Sequence, residues 1–246
     1  MIEFLPEGIA LTDALILLGA AFLGSLITAA LGVGGGAFLI TVMAGIMPPL
    51  ALVPVHGVVQ MGSNASRAFL SRKYLDRSRL TWFVVGAGLS AVGGIWLAGS
   101  INTEWIPLII AVFVLWITWL PLPAVGLGRT RAGLLLGGFI TTLASFLVGA
   151  SGPLVSAWLS KDAHDRWHYT ALFSSAMTIQ HLLKIIVFGA IGFAFTEWLV
   201  LMLVMIVFGY IGTGLGLRLL GRVPEARFKL IYRWFLTLLA IRLAFI

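Results

Sequence analysis

The chain has 246 residues; 60% of them are hydrophobic, only 10% are charged, and the net charge is +7. Average soluble domains carry about 25% charged residues, so an ordinary cytosolic enzyme, a disordered chain and a coiled coil are all excluded, and an all-α polytopic membrane protein remains. At about 20 residues per span the length accommodates seven or eight membrane segments and no soluble domain. The absence of cysteine rules out a disulfide framework, thiolate catalysis and a thiolate metal cage.

The N-terminus reads MIEFLPEG, with Glu3 and Glu7 and no Lys or Arg. A signal peptide opens on a basic stretch, so the first apolar run is expected to be a retained membrane segment. Apolar runs then follow at 10–31, 37–47, 52–71, 80–99, 105–120, 132–149, 153–160, 168–189, 196–217 and 228–246. Backbone groups in hydrocarbon must be satisfied within the chain, and no alternating ten-residue strands occur, so these runs are predicted helices. Two runs, 37–47 and 153–160, are too short to span. Each follows a full-length run across a small-residue break: Gly32-Val33-Gly34-Gly35-Gly36 in one case, Gly149-Ala150-Ser151-Gly152-Pro153 in the other. Gly and Pro interrupt helices, one through backbone entropy and the other through its missing N–H. The segments 10–47 and 132–160 are therefore predicted hairpins bent at those breaks.

Lys and Arg set the orientation. Arg72, Lys73, Arg77 and Arg79 lie in 72–79, Arg129 and Arg131 in 121–131, Lys161 and Arg166 in 160–167, and Arg218, Arg222, Arg227 and Lys229 in 218–229. The other ends carry Glu3, Glu7, Asp13, Glu104 and Glu197, and no Lys or Arg is expected there. The positive-inside rule assigns the four basic stretches to the cytoplasm and both termini to the outside, the periplasm if the membrane is a bacterial inner membrane. The +7 charge then reads as a topology signal, and no nucleic-acid partner is expected.

On this topology each half is a bent hairpin followed by three spans, and the halves run in opposite directions. The first repeat covers 1–121, the second 132–246, with a cytoplasmic linker at 122–131. An ungapped offset of 116 sets Gly36 on Gly152, Met61 on Met177 and Asn64 on Gln180. Interrupted hydrophobic segments at corresponding places in two halves point to a transporter binding site, with alternating access expected to rock one half against the other around Gly34–Gly36 and Ala150–Gly152.

The span after each break is unusually polar. In VPVHGVVQMGSNASRAFLS, His56, Gln60 and Asn64 are four apart and share a helix face that Arg67 continues one turn later. In YTALFSSAMTIQHLLKII, Thr170, Ser174, Thr178 and His181 share a face, with Gln180 and Lys184 toward its flank. Polar groups at membrane depth usually face a cavity or a partner helix. The alternatives are plain: Ser and Thr can bond their own helix carbonyls, Arg67 and Lys184 can snorkel to the interfaces, and the Gly clusters can be close-packing sites.

Helix ends exposed at the breaks would favour an anion, because their N–H groups and dipoles carry positive potential. The spans hold no Asp or Glu after Asp13 except at their edges, which leaves a cation no carboxylate. The expected ligand is a small oxyanion held by Gly34, Gly35, Gly36, Ala150, Ser151 and Gly152 at the breaks, and by His56, Gln60, Asn64, Arg67, Ser174, Gln180, His181 and Lys184 on the polar spans. Gly35→Val is expected to block the anion's approach, and a histidine to carry a coupling proton. No cofactor, metal or catalytic group enters this reading.

The run ALGVGGGAFLI followed by PPLALVPVHGVVQMGSNASRAFL, with LVGASGPLVSAWL in the second half, resembles the sulfite exporter TauE/SafE family, also called the 4-toluenesulfonate uptake permease family. The resemblance covers essentially the whole chain. It implies a permease for sulfite or organosulfonates, built as an inverted repeat in the cell inner membrane. Where many relatives have a Thr/Ser-Asn pair early in the polar span, this chain has Pro54 and Val55, with His56 next.

Two other functions compete. A metal-ion transporter would use His56, His164, His168 and His181. An intramembrane enzyme would need a positioned Ser–His or acidic pair, and Ser174 and His181 are two turns apart. The partners expected are the lipid bilayer and the anion, and the last span is a candidate homodimer contact.

Overall fold

The computed structural model describes residues 5–120, 127–159, 165–220 and 225–244. Ten α-helices cover most of them: α1 (Leu11–Leu31), α2 (Gly35–Ala44), α3 (Pro49–Ser71), α4 (Arg77–Ser100), α5 (Ile106–Trp119), α6 (Arg131–Val148), α7 (Gly152–Leu159), α8 (Arg166–Ala190), α9 (Leu199–Leu219) and α10 (Glu225–Ala244). The ten apolar runs correspond one to one with these helices. Among the described residues no strand occurs. The segments Leu11–Leu31, Arg77–Ser100, Arg131–Val148, Arg166–Ala190 and Phe195–Leu219 are long and apolar enough to cross a membrane. The 23 residues of α3 have the length but are too polar to count among them, because of the row that begins at His56.

Local chemistry starts and stops the helices. Asp76, Thr130 and Asp165 cap α4, α6 and α8 by accepting the backbone N–H groups of Arg79, Gly133, and both Trp167 and His168. The two breaks are built alike. α1 ends at Gly32 with φ +92° and α6 at Gly149 with φ +69°, a backbone region that glycine occupies without a Cβ penalty. Each donates its N–H to a hydroxyl residue four positions back, Gly32 to the Thr28 carbonyl and Gly149 to the Ser145 carbonyl. The chain then reverses into α2 and α7. With 10 and 8 residues, these helices are about 15 and 12 Å long, roughly half the hydrocarbon thickness.

Packing crosses between the halves. The most extensive contacts pair α1 with α9, α4 with α6, and α3 with α8; α4 also lies on α8, and α3 on α9. Exchanging α1–α5 for α6–α10 carries each of these pairings onto another or onto itself. The α1–α9 and α4–α6 contacts are close because glycines line them. A Cβ on Gly212 would lie 2.2 Å from the Phe22 carbonyl oxygen, and one on Gly86 1.9 Å from that of Leu135.

The basic stretches gather at one end. Arg79 Nη2 donates to the Gly128 carbonyl at 3.2 Å, Tyr74 stacks on Trp167 with centroids 5.6 Å apart, and Arg166 shares a hollow with Leu220. Met47, Glu104 and Leu243 share a hollow at the other end. Arg242, which the sequence assigns to the last span, lines a groove with Asp13, so that end also carries a cation. Lys161 and Arg222, and residues 122–126 of the linker, lie outside the described residues.

Candidate functional site

The two breaks and the two polar helices meet at one small cavity of about 20 Å³, room for little more than a water-sized group. Gly34, Gly36 and Ala37 line it from the first break, and Ala150, Gly152 and Pro153 from the second. The N-termini of α2 and α7 therefore converge on it. The first N–H groups of a helix have no intrahelical acceptor, and the dipole adds positive potential there. Tyr232 on α10 fixes the first break by donating its hydroxyl to the Gly34 carbonyl at 2.8 Å.

α3 supplies the polar wall: His56, Gln60, Asn64 and Arg67 all line the cavity. His56 Nε2 lies 3.0 Å from the Gly36 carbonyl. Asn64 donates to the Gln60 carbonyl at 2.7 Å and accepts from Arg67 Nη2 at 2.5 Å. The Arg67 guanidinium also sits over the Phe173 ring, 5.9 Å from its centroid. Arg67 is 1% exposed, so it is no snorkelling anchor.

α8 presents Phe173, Met177 and His181 to the cavity. His56 and His181 approach edge to face at 5.9 Å. The rest of α8's polar groups turn elsewhere. Gln180 donates to Thr141 and Thr142 at 2.7 and 2.9 Å and accepts from Ser151 at 2.7 Å, tying α8 to the second hairpin. Lys184 donates to the Gly149 carbonyl and lies 3.3 Å from His181 Nδ1. It is 0% exposed, so it does not snorkel either. Ser174 and Thr178 bond the carbonyls of Thr170 and Ser174 on their own helix.

The structure thus gathers nine of the expected residues around the cavity: Gly34, Gly36, His56, Gln60, Asn64, Arg67, Ala150, Gly152 and His181. Ser151, Ser174, Gln180 and Lys184 stand behind it. Gly35 faces away: a Cβ there would lie 1.6 Å from the Gly24 carbonyl oxygen and 2.5 Å from Thr28 Oγ1. A side chain at Gly35 would pry α2 from α1 rather than block an anion. Thr28, Ala37, Pro153, Phe173 and Met177 also line the cavity and are not among the expected residues. Thr28 had a signal, as a hydroxyl four residues before the first break; the other four are ordinary apolar residues.

Three buried nitrogens on this wall have no hydrogen-bond partner in the protein: His56 Nδ1, Arg67 Nε and His181 Nε2. Among the described lining residues there is no carboxylate. Buried polar groups are normally paired, and an unpaired one costs more than a paired one gains. A cation buried without a counter-ion is costlier still. The arrangement is complementary to a small anion.

The metal reading finds no support. Among the described residues no three His, Asp or Glu side chains are grouped to hold an ion, and His164 lies outside them. Asp165 is engaged as the α8 cap, and its hydrogen bonds from the His168 backbone and side chain hold its carboxyl below the usual range. Ser174 is bonded within its own helix, so it forms no nucleophile–base pair with His181.

Neither curated proteins nor solved structures yield a match to the chain. A family model described as sulfite exporter TauE/SafE matches residues 17–243. That match runs through both hairpins and the cavity between them, and the chain belongs to the sulfite exporter TauE/SafE family of membrane transporters.

Proposed function

We propose that this chain carries small sulfur oxyanions, sulfite or a short organosulfonate, across the bacterial inner membrane by alternating access. The basic end faces the cytoplasm and both termini face the periplasm. The observation that carries the reading is the set of unpartnered groups on Arg67, His56 and His181, set between two helix N-termini with no carboxylate among the described lining residues. Family membership supports the sulfur chemistry.

The site is held as two inverted repeats, 1–121 and 132–246, whose reciprocal helix pairings support the symmetry. The proposed moving bodies follow packing rather than the two sequence halves. Tight glycine contacts bind α1 to α9 and α4 to α6, and the bond between Ser63 and Thr213 ties α3 to α9. One body is then α1, α3 and α9, the other α4, α6 and α8. They rock along the α3–α8 contact, where the cavity lies.

Phe173 on the cavity wall stacks on Tyr169 at 5.4 Å, toward the basic end. Beyond it lies a vestibule of about 180 Å³ lined by Arg166, Tyr169 and Thr170. Displacing this stack opens the cytoplasmic route.

The test is uptake of radiolabelled sulfite into proteoliposomes, paired with thermal stabilisation in detergent by sulfite, sulfate, thiosulfate, sulfoacetate, taurine, acetate and chloride. A ligand of the folded state raises its apparent stability by mass action. A shift selective for a sulfur oxyanion, with matching flux, is expected. A flat panel without flux refutes the proposal.

A further inference from the structure

We infer that the cavity, once widened beyond the water-sized space of this closed state, takes its oxyanion singly protonated, with the anion's own O–H donated to His56 Nδ1. This deepens the proposed anion transport and rests on it. The Gly36 carbonyl can only accept, so His56 Nε2, 3.0 Å away, carries the N–H of that bond. A neutral imidazole has one donor and one acceptor nitrogen. His56 Nδ1 is therefore the acceptor, buried and without a partner in the protein.

The opposite wall fixes the second ring the other way round. As an ammonium, Lys184 Nζ has only protons to offer. It donates to the Gly149 carbonyl and lies 3.3 Å from His181 Nδ1, which makes that nitrogen an acceptor. His181 Nε2 then carries the hydrogen and is the unpartnered donor. Arg67 Nε–H is a second unpartnered donor. The wall offers two donors and one acceptor.

A fully deprotonated oxyanion has only acceptor atoms. It would satisfy Arg67 and His181 and set a lone pair against His56 Nδ1. Hydrogen sulfite has acceptor oxygens and one O–H, and it matches all three groups. The charged and titratable neighbours of His56 are His181 and Lys184 on α8 and Arg67 on its own helix, with the Gly36 and Gly149 backbone facing it from the two breaks. No carboxylate lines the cavity among the described residues. A proton carried on the anion supplies the missing donor without adding charge to this wall.

Binding of sulfite and of methanesulfonate to the purified full-length protein in detergent, followed by calorimetry over a pH series, tests this. Methanesulfonate has no O–H and stays ionised throughout. Total sulfite affinity should follow the hydrogen sulfite fraction and fall about tenfold per pH unit above that anion's own ionisation. Methanesulfonate should bind at least about tenfold more weakly, with a flat profile. His56→Phe should erase the preference between the two ligands. Should that variant fail to fold, the pH profiles of the unmodified protein still decide. A pH-independent sulfite affinity, or the same slope for both ligands, overturns the inference and leaves anion transport standing. Binding of neither ligand sinks the transport reading, and this inference with it.

Discussion

α3 and α8 are the two polar helices of the bundle, and they lie against each other at its centre, yet they spend their polar groups differently. On α8, Gln180 makes three hydrogen bonds to the second hairpin, Lys184 bonds the Gly149 carbonyl, and Ser174 and Thr178 close onto their own helix. On α3, His56 reaches the first hairpin through the Gly36 carbonyl, and Arg67 keeps Nε unpartnered. α8 mostly holds the second break in shape; α3 mostly faces the cavity. The polar content of a span therefore does not reveal a binding wall. What remains after the internal hydrogen bonds are counted does.

The strongest way to break this comparison is to displace the first break by prying α2 from α1. Gly35→Val drives a side chain into the α1 backbone, which should cost more than the about 1–3 kcal/mol of ordinary overpacking. Little monodisperse protein should elute on size exclusion. Gly36→Ala is the control. Its Cβ would meet the end of a flexible side chain, Gln60 Nε2 at 2.7 Å, so the protein should fold while the cavity narrows and flux falls. Equal behaviour of the two variants would mean that the break does not separate packing from binding.

The two buried cations sharpen the contrast. Arg67→Met removes a charge that has no acidic partner on the cavity wall, so the thermal midpoint should hold or rise, while sulfite flux should fall about a hundredfold. Lys184→Met leaves the Gly149 carbonyl unpaired and should cost about 1.5–3 kcal/mol of stability. Thermal unfolding and flux, measured together on both variants, should order them oppositely. A large loss of stability in the Arg67 variant would make it a structural residue like Lys184.

The two glutamines repeat the test on a smaller scale. Gln180→Ala strips partners from Ser151 and the α6 threonines and should lower stability by about 1–3 kcal/mol. Gln60→Ala should leave the thermal midpoint nearly unchanged and reduce flux about tenfold. A thermal shift of equal size in both would erase the difference between the helices.

The same contrast explains how much the sequence could tell. Helix positions were legible because hydrocarbon leaves the backbone few choices, and each run of apolar residues became one helix. The α3 row was legible as well, since His56, Gln60, Asn64 and Arg67 follow helical spacing and the cavity happens to face that row. On α8 the same spacing argument singled out Ser174, whose hydroxyl returns to its own backbone, and relegated Gln180 and Lys184 to the flank, where they carry the main inter-helix bonds. Periodicity gives a face but not the neighbour that the face meets. Gly35 and Gly36 are adjacent and chemically identical, and only packing separates the one that touches α1 from the one that lines the cavity.

Asn64 gives the smallest and most specific prediction. Its Nδ2 donates to the Gln60 carbonyl one turn back, and its Oδ1 accepts from Arg67 Nη2. The side chain is thus a strut that holds one edge of the guanidinium while Arg67 Nε stays without a partner in the protein. Removing the strut leaves the charge in place and frees its orientation. Asn64→Ala should therefore weaken sulfite binding by about three- to tenfold, less than the loss of Arg67 itself, with a change in stability of about 1 kcal/mol or less. The double variant Asn64→Ala/Arg67→Met should bind no worse than Arg67→Met alone, because a strut with nothing to hold contributes nothing; energies of residues that act through one another do not add. Fully additive losses would mean that Asn64 meets the anion directly, and α3 would then present one more contact than its hydrogen bonds account for.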